Sequence, residues 1–117
     1  MIVKRRLKTV YFDMKLQNTE FDIFGTKWKV VFKETVLNDE EQPHELYGCC
    51  TMSSHTIEIA KSVNGVKQSK EELKISLLHE IFHAIFDTGQ YFNSSNDEPL
   101  VEWCARSINS LLEQKII

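Results

Sequence analysis

Residues 73–86 read Leu-Lys-Ile-Ser-Leu-Leu-His-Glu-Ile-Phe-His-Ala-Ile-Phe, and this stretch decides the fold. After Ser76 its only polar residues are His79, Glu80 and His83. A segment of this length that is apolar on nearly every side is typical of a helix buried by the rest of the protein. We therefore expect a buried helix that carries three ionisable side chains into the interior, where each of them needs a partner.

Two histidines of this helix are spaced so that they can share one ligand. His79 and His83 are four residues apart, and at about 3.6 residues per turn they lie on the same face. Glu80 lies at the edge of that face, near the position of a metal-bound water. The stretch predicts a zinc site with both histidines as ligands and Glu80 as the catalytic base. The alternative is a buried helix whose histidines hydrogen-bond to the backbone or to carboxylates.

The sequence also marks both ends of the helix. Residues 69–72 read Ser-Lys-Glu-Glu, which is a capping box with Ser69 as the N-cap and Glu72 three residues on. Gly89 is a natural residue to follow the last turn. Together these signals predict a helix over residues 70–87.

A second helix follows a loop over residues 90–96. It is expected to begin within residues 97–99, because the proline at position 99 is tolerated in a first turn. Its apolar residues recur at helical spacing to the end of the chain. These residues are Leu100, Val101, Cys104, Ala105, Ile108, Leu111 and Leu112.

The second helix can supply a third ligand, since a catalytic zinc ion usually takes three protein ligands and leaves the fourth position to water. Glu98 and Glu102 are four residues apart and share one face, whereas Asp97 suits an N-cap. We favour Glu102, because Glu98 stands beside Pro99 in a first turn that is prone to fraying. In the alternative Glu98 is the ligand, and Glu102 orients a histidine from behind. Glu102 can also be a solvated acid on the helix surface.

Short runs of β-type residues precede the motif helix. Residues 25–26 lie between two of these runs and predict a hairpin or a tight turn, although residues 1–16 can equally begin as a helix. After a polar loop at 38–43, residues 47–60 look extended. Polar and apolar residues alternate over 56–59, which suits a strand with one face on the core. The β-type runs are residues 9–12, 21–24 and 28–32.

These elements predict an α+β fold, in which a small antiparallel or mixed sheet packs against the motif helix and a C-terminal helix. Residues 1–117 are expected to form a single domain, which at this length buries about two thirds of its unfolded surface. The composition, 42% hydrophobic and 26% charged, is that of an ordinary globular protein. A net charge of −3 gives no electrostatic reason to expect nucleic acid as a partner. The basic cluster Lys4, Arg5, Arg6 and Lys8 is interpreted as a solvated terminus.

The chain is expected to be cytoplasmic and to have no membrane partner. No apolar run reaches the roughly 18 residues of a transmembrane helix, and Lys8, Asp13 and Lys15 interrupt any signal-peptide core. The cysteines are odd in number, and the adjacent pair lacks the separation of a Cys-x-x-Cys zinc motif. We expect them to be reduced, small apolar residues. They are Cys49, Cys50 and Cys104.

The motif as a whole resembles a known class of zinc peptidase. His79-Glu80-x-x-His83, followed after eighteen residues by Glu102, is similar to the gluzincin pattern, in which a helical glutamate is the third ligand. The resemblance implies a zinc cofactor held by His79, His83 and Glu102, with Glu80 as the general base.

Residues 47–112 resemble compact ImmA/IrrE-like metallopeptidases and their small phage-encoded relatives. The likeness lies in Tyr-Gly at 47–48, the alternating strand at 56–59, the motif helix and the short helix with an acidic start. It implies a minimal zincin-like domain. The second helix departs from the family, since residues 102–105 read Glu-Trp-Cys-Ala where the ImmA/IrrE helix has Glu-Ala-Asn.

The expected function is zinc-dependent hydrolysis of a peptide or protein substrate by a metal-activated water. Tyr47, His55 and Tyr91 are the candidates for a donor to the developing oxyanion, and the sequence does not choose among them. Residues 56–60 can hold an extended peptide by β-augmentation, or they can be a fully paired inner strand. One alternative function is a catalytically weak or inactive, phage-derived zinc-binding module that acts by binding a partner protein. A structural protein without metal is the third hypothesis.

Overall fold

The computed structural model of the chain describes residues 16–116. The β-type run at 9–12, the basic cluster and all but the last residue of the possible helical start at 1–16 lie outside the described residues. The strands are β1 (Thr19–Ile23), β2 (Thr26–Lys33), β3 (Val36–Leu37), β4 (Glu45–Leu46), β5 (Gly48–Thr51), β6 (Thr56–Ala60), β7 (Ser62–Val63) and β8 (Val66–Lys67). The helices are α1 (Lys70–Thr88), α2 (Phe92–Ser95) and α3 (Glu98–Glu113).

The main sheet is mixed and has the strand order β1-β2-β6-β5. β1 and β2 form the predicted antiparallel hairpin, and its turn places Phe24 and Gly25 at positive φ, as a two-residue hairpin turn requires. β2 runs parallel to β6, and β5 runs antiparallel to β6. The prediction of an α+β fold with a small mixed sheet and C-terminal helices is confirmed.

The core lies between the sheet and α1. Side chains on a strand alternate between its two faces, and the inward residues of β2 and β6 pack on the motif helix. Trp28 is fully buried there, and its indole N–H donates to Thr88 Oγ1 at 3.0 Å. The core cluster consists of Trp28, Val30, Ile57, Ile59, Leu77 and Ala84.

Helix α1 forms where the sequence predicts it, with one residue more at its C-terminus. Both hydrogen bonds of the capping box are present between Ser69 and Glu72. Gly89 is the C-cap, but its φ of −81° is an ordinary helical value. A Cβ at this position would lie 3.0 Å from the ring of Tyr91, so Gly89 makes room for that ring. The expectation that α1 is buried on nearly every side is wrong in part, since Ile85 is exposed.

The connection between α1 and α3 differs from the expected loop. Residues 92–95 form the short helix α2, and Ser95 is buried. Asp97 is the N-cap of α3, where its carboxylate accepts the backbone N–H of Leu100 at 3.2 Å. Pro99 lies in the first turn, as predicted. The N-terminal turn of α3 is therefore fixed by a side-chain cap.

The two strands at residues 47–60 have different surroundings in the sheet. β6 is paired with β2 on one side and with β5 on the other. The hypothesis that residues 56–60 receive a peptide by β-augmentation is therefore wrong, because both edges of β6 are already hydrogen-bonded. β5, at residues 48–51, lies at the edge of the sheet.

Two further expectations concern the cysteines and the membrane. Cys49, Cys50 and Cys104 are all free thiols. Burial raises the pKa of Cys50, as expected for a small apolar core residue rather than a reactive thiolate. None of the helices described within residues 16–116 is long and apolar enough to span a membrane.

Candidate metal centre

The two motif histidines meet the first turn of α3. His79 Nε2 lies 2.9 Å from one carboxylate oxygen of Glu98, and His83 Nε2 lies 3.1 Å from the other. The two imidazole rings are 5.0 Å apart between centroids. Among the residues that the structure describes, His79, His83 and Glu98 form a group that could hold a metal ion, with all three ligand atoms within 4.8 Å of one another.

This donor set fits a zinc ion. Two imidazole nitrogens and one carboxylate oxygen are a common ligand set of catalytic zinc. Ligand atoms about 2.0–2.1 Å from a tetrahedral ion lie about 3.3 Å from each other. The observed distances of 2.9 and 3.1 Å run from the histidines to different oxygens of Glu98, and all three ligand atoms lie within 4.8 Å of one another.

Glu98 owes its position to the cap of α3. The N-cap Asp97 and the following Pro99 fix the backbone on either side of Glu98. The Asp97 carboxylate bonds directly to the backbone of this first turn, which opposes the fraying that the sequence predicts. The Glu98 side chain is 64% exposed, which leaves the metal position open to solvent from this side.

Glu102 lies on the other side of His79. One of its carboxylate oxygens is 2.8 Å from His79 Nδ1, and the other accepts the Nε–H of Arg106 at 2.8 Å. Partial burial raises the pKa of Glu102, but the hydrogen bonds from His79 and Arg106 outweigh it and hold the pKa below its ordinary value. Glu102 is therefore an anion directed at the nitrogen of His79 that faces away from Glu98. This placement matches the alternative in which Glu98 is the ligand and Glu102 orients a histidine.

The two histidines differ in basicity because their surroundings differ. Burial lowers the pKa of His79, but the hydrogen bond to Glu102 and the charges of Glu80 and Glu98 reverse this and leave it raised. Burial also lowers the pKa of His83. The nearby charge of Glu98 opposes this effect but does not outweigh it, so the pKa of His83 stays below its ordinary value. The Nδ1 atom of His83 meets the neutral hydroxyl of Ser95 at 3.1 Å.

Glu80 lies beside the edge strand β5, where its side chain faces Gly48, and it is close enough to His79, Glu98 and Glu102 for their charges to act on its pKa. It is only 7% exposed. Burial raises the pKa of Glu80 to about 7, and the negative charges of Glu98 and Glu102 add to this while His79 opposes it. A carboxylate whose pKa lies near neutrality is suited to general base catalysis.

Gly48 provides the space that Glu80 occupies. A Cβ on Gly48 would lie 3.0 Å from Glu80 Cγ, 3.1 Å from Glu80 Oε2 and 3.2 Å from the carbonyl oxygen of Glu58. The glycine of β5 thus allows the strand to approach the buried carboxylate closely.

None of the three candidates for an oxyanion donor contacts the ligand group within the described part of the chain. His55 stacks on Trp28 with 4.9 Å between ring centroids, and Tyr91 packs against Gly89. Tyr47 directly precedes Gly48 but is largely exposed. The choice among them therefore stays open.

Sequence reasoning identified His79, Glu80, His83, Glu98 and Glu102, and the structure gathers all five around one junction between α1, α3 and β5. It missed three residues that shape the junction: Gly48, Ser95 and Arg106. Arg106 follows Glu102 by four residues, a spacing that could have revealed the pair. No local pattern marks Ser95, because its role depends on how α2 packs against α1.

Comparisons with protein-family models, with curated proteins and with solved structures find no match to this chain.

Proposed function

We propose that the protein is a zinc-dependent metallopeptidase with a minimal zincin-like arrangement. His79, His83 and Glu98 would hold the ion, and Glu80 would act as the general base. One observation carries the proposal: a single carboxylate faces Nε2 of both motif histidines, while each Nδ1 has a separate partner. Histidines that bind a metal through one nitrogen commonly donate from the other nitrogen to such a partner.

The assignment of Glu98 over Glu102 rests on which nitrogen each carboxylate meets. Glu98 lies on the side where the two imidazoles converge, so an ion placed there would have three ligands. Glu102 contacts only His79, through Nδ1, and is already paired with Arg106. Its anionic charge would stabilise the Nδ1 proton and make His79 a stronger donor to the metal through Nε2.

When bound, zinc would polarise a substrate carbonyl and lower the pKa of a bound water toward about 7. Glu80 would take a proton from that water. It is next to His79 in sequence, is not one of the ligand group, and is kept from bulk solvent by the close approach of Gly48. As a general base it would then give this proton to the leaving amine.

A peptide is the substrate class that the edge strand favours. Among the described strands β5 pairs with β6 alone, and within residues 16–116 its other edge has backbone groups that an extended peptide could bind by β-augmentation. The position of a side chain on Gly48, at the start of β5, is taken up by the side chain of Glu80. A peptide added to this edge would therefore run past the general base.

The metal site is tested by elemental analysis of protein purified without chelators. Wild type should contain about one zinc ion per chain, and His83→Ala should contain almost none, because a site with two remaining ligands binds zinc weakly. His44→Ala is the matched control, since His44 bonds to Asn38 in an exposed loop away from the site. The proposal would be contradicted if wild type contained no zinc, or if His83→Ala contained as much zinc as His44→Ala.

Catalysis is tested by Glu80→Gln, with cleavage of a mixture of unfolded proteins followed by mass spectrometry. The variant should keep its zinc and lose activity by about 10²–10⁴-fold, the usual contribution of a general base. Glu20→Gln, on the far edge strand β1, is the matched control. Zinc retained without any cleavage by wild type would exclude the peptidase.

That last outcome would favour the second candidate, a zinc-binding module that engages a partner protein. One observation supports it: Trp103 is 68% exposed on α3, and Pro99 and Leu111 line the same shallow groove. Exposed tryptophan is a frequent energetic centre of protein interfaces. In this case Glu80→Gln would retain the biological effect of wild type, whereas Trp103→Ala would lose it.

A further inference from the structure

Ser95 has no part in the mechanism above, yet it is one of the few polar side chains buried within the described residues. It is the last residue of α2 and is 4% exposed. Its hydroxyl oxygen lies 3.1 Å from Nδ1 of His83. A buried hydroxyl needs a hydrogen-bond partner, and the ring of His83 supplies it.

The contact determines which nitrogen of His83 can bind a metal. A neutral imidazole carries its proton on one nitrogen and a lone pair on the other. Nε2 of His83 faces Glu98 at 3.1 Å, so this nitrogen must offer the lone pair if it is to bind an ion beside that carboxylate. The proton then resides on Nδ1, where Ser95 Oγ is placed to accept it.

Backbone hydrogen bonds hold Ser95 at this point. The Tyr91 N–H donates to the Phe86 carbonyl at 2.8 Å, which fastens the start of α2 to α1. The Ser95 N–H donates in turn to the Tyr91 carbonyl at 2.9 Å. Two residues later Asp97 caps α3 and positions Glu98. The short connection between α1 and α3 therefore supplies both the hydroxyl at Nδ1 of His83 and the carboxylate at its Nε2.

We infer that Ser95 is a positioning residue, which holds His83 in the Nδ1–H form with Nε2 turned toward Glu98. This inference rests on the zinc site proposed above. It also distinguishes the two histidines, because an anionic carboxylate lies behind His79 and a neutral hydroxyl behind His83. Removing a partner of this kind typically lowers metal affinity by about 10–100-fold.

The experiment compares zinc affinity in wild type, Ser95→Ala and Ser95→Thr, measured by competition with a chromophoric chelator. Ser95→Ala should bind zinc about 10–100-fold more weakly, and Ser95→Thr should recover part of the loss because it retains the hydroxyl. Ser94→Ala is the matched control, since this neighbour lies in the same helix and makes no side-chain hydrogen bond among the described residues. Thermal unfolding of the metal-free proteins would show whether Ser95→Ala merely loosens the fold.

A second measurement needs no variant. Nitrogen-15 NMR of the zinc-loaded wild type should show His83 with a proton on Nδ1 and the metal on Nε2. The opposite tautomer, or equal zinc affinities in wild type and Ser95→Ala, would overturn the role of Ser95 while leaving the zinc site intact. Failure of wild type to bind zinc would instead overturn the proposed function, and with it the inference that depends on it.

Discussion

The two sides of helix α1 bury very different chemistry. Toward the sheet the helix presents Leu77 and Ala84 to fully buried residues such as Trp28 and Ile57, and these residues form an apolar core cluster. Toward α2 and α3 it presents His79 and His83, whose ring nitrogens all meet an oxygen of a neighbouring side chain.

This difference separates stability from function within one helix. The stability that comes from apolar burial depends on the shape and volume of the side chains. The sheet side of α1 therefore stabilises the fold without needing any reactive group. Polar groups at partly buried positions cost free energy unless they are paired. The α3 side satisfies its groups with two carboxylates and a hydroxyl, at positions that also suit a metal ion. We therefore expect substitutions on the two sides to affect different measurements.

The largest effect should come from the sheet side. Trp28→Ala should lower the free energy of unfolding by about 3–5 kcal/mol, because it leaves a large cavity beneath α1, and it also removes the hydrogen bond to Thr88. Trp103→Ala removes the same side chain from an exposed position on α3 and should change stability by about 0.5 kcal/mol or less. Denaturant unfolding of both variants measures the contrast. Equal losses would mean that the core does not lie where the fold places it.

The next effect concerns the ligand group, where Glu98→Gln and Glu102→Gln can be compared directly. Glu98→Gln removes a proposed ligand and should weaken zinc binding more than Glu102→Gln, which removes a hydrogen-bonded partner and should cost about 10–100-fold in affinity. Both glutamates lie on α3 and differ by one turn, so each variant is the control for the other. Loss of zinc only in Glu102→Gln would restore the ligand set that the sequence favours.

The sequence predicted the residues of the candidate metal site, but the choice of the third ligand depends on the fold. Residues 79–83 predicted the helix, its histidines and the base, because a fixed spacing on a helix determines which side chains share a face. The sequence also supplied both glutamates. It favoured Glu102 on the expectation that the first turn frays, but it could not show which nitrogen of His79 each carboxylate meets, because that depends on the packing of α3 against α1.

The sheet was predictable to a similar degree. The hairpin at Gly25 and the strand at 56–60 follow from turn residues and alternation. Strand order did not follow, because alternation describes the faces of a strand and not its neighbours. The inner position of β6, the edge position of β5 and the contact between Gly48 and Glu80 all depend on pairing between distant segments.

A smaller effect is expected at Gly48, where the sheet approaches the base. Gly48→Ala would place a Cβ 3.0 Å from Glu80 Cγ, so the carboxylate must move by a few tenths of an ångström. Zinc content should be unchanged, while cleavage should fall by about 10-fold, since small displacements of catalytic groups are costly. Thr51→Ala, at the exposed end of the same strand, is the control. Unchanged cleavage by Gly48→Ala would show that the position of Glu80 is not critical.

The last expected effect is a pH dependence of the metal-free protein. Burial raises the pKa of Glu80 from its ordinary value of 4.5 to about 7. The folded state therefore holds this proton more tightly than the unfolded state. The resulting stabilisation is fully present below about pH 4.5 and is lost as the pH rises toward about 7, because the unfolded chain releases its proton first.

Glu80→Gln isolates this contribution, because glutamine occupies nearly the same volume and does not titrate. Between about pH 4.5 and about pH 7 the free energy of unfolding should fall more steeply with pH in wild type than in the variant, so the variant gains relative stability as the pH rises. Denaturant unfolding in the presence of a chelator, at several pH values across this window, measures the difference. Addition of zinc to wild type should reduce the slope, since a bound cation beside Glu80 favours its charged form. If the free energies of unfolding of wild type and variant differ by the same amount at every pH, Glu80 is open to solvent. The buried ionisable groups of α1 would then be His79 and His83 without Glu80.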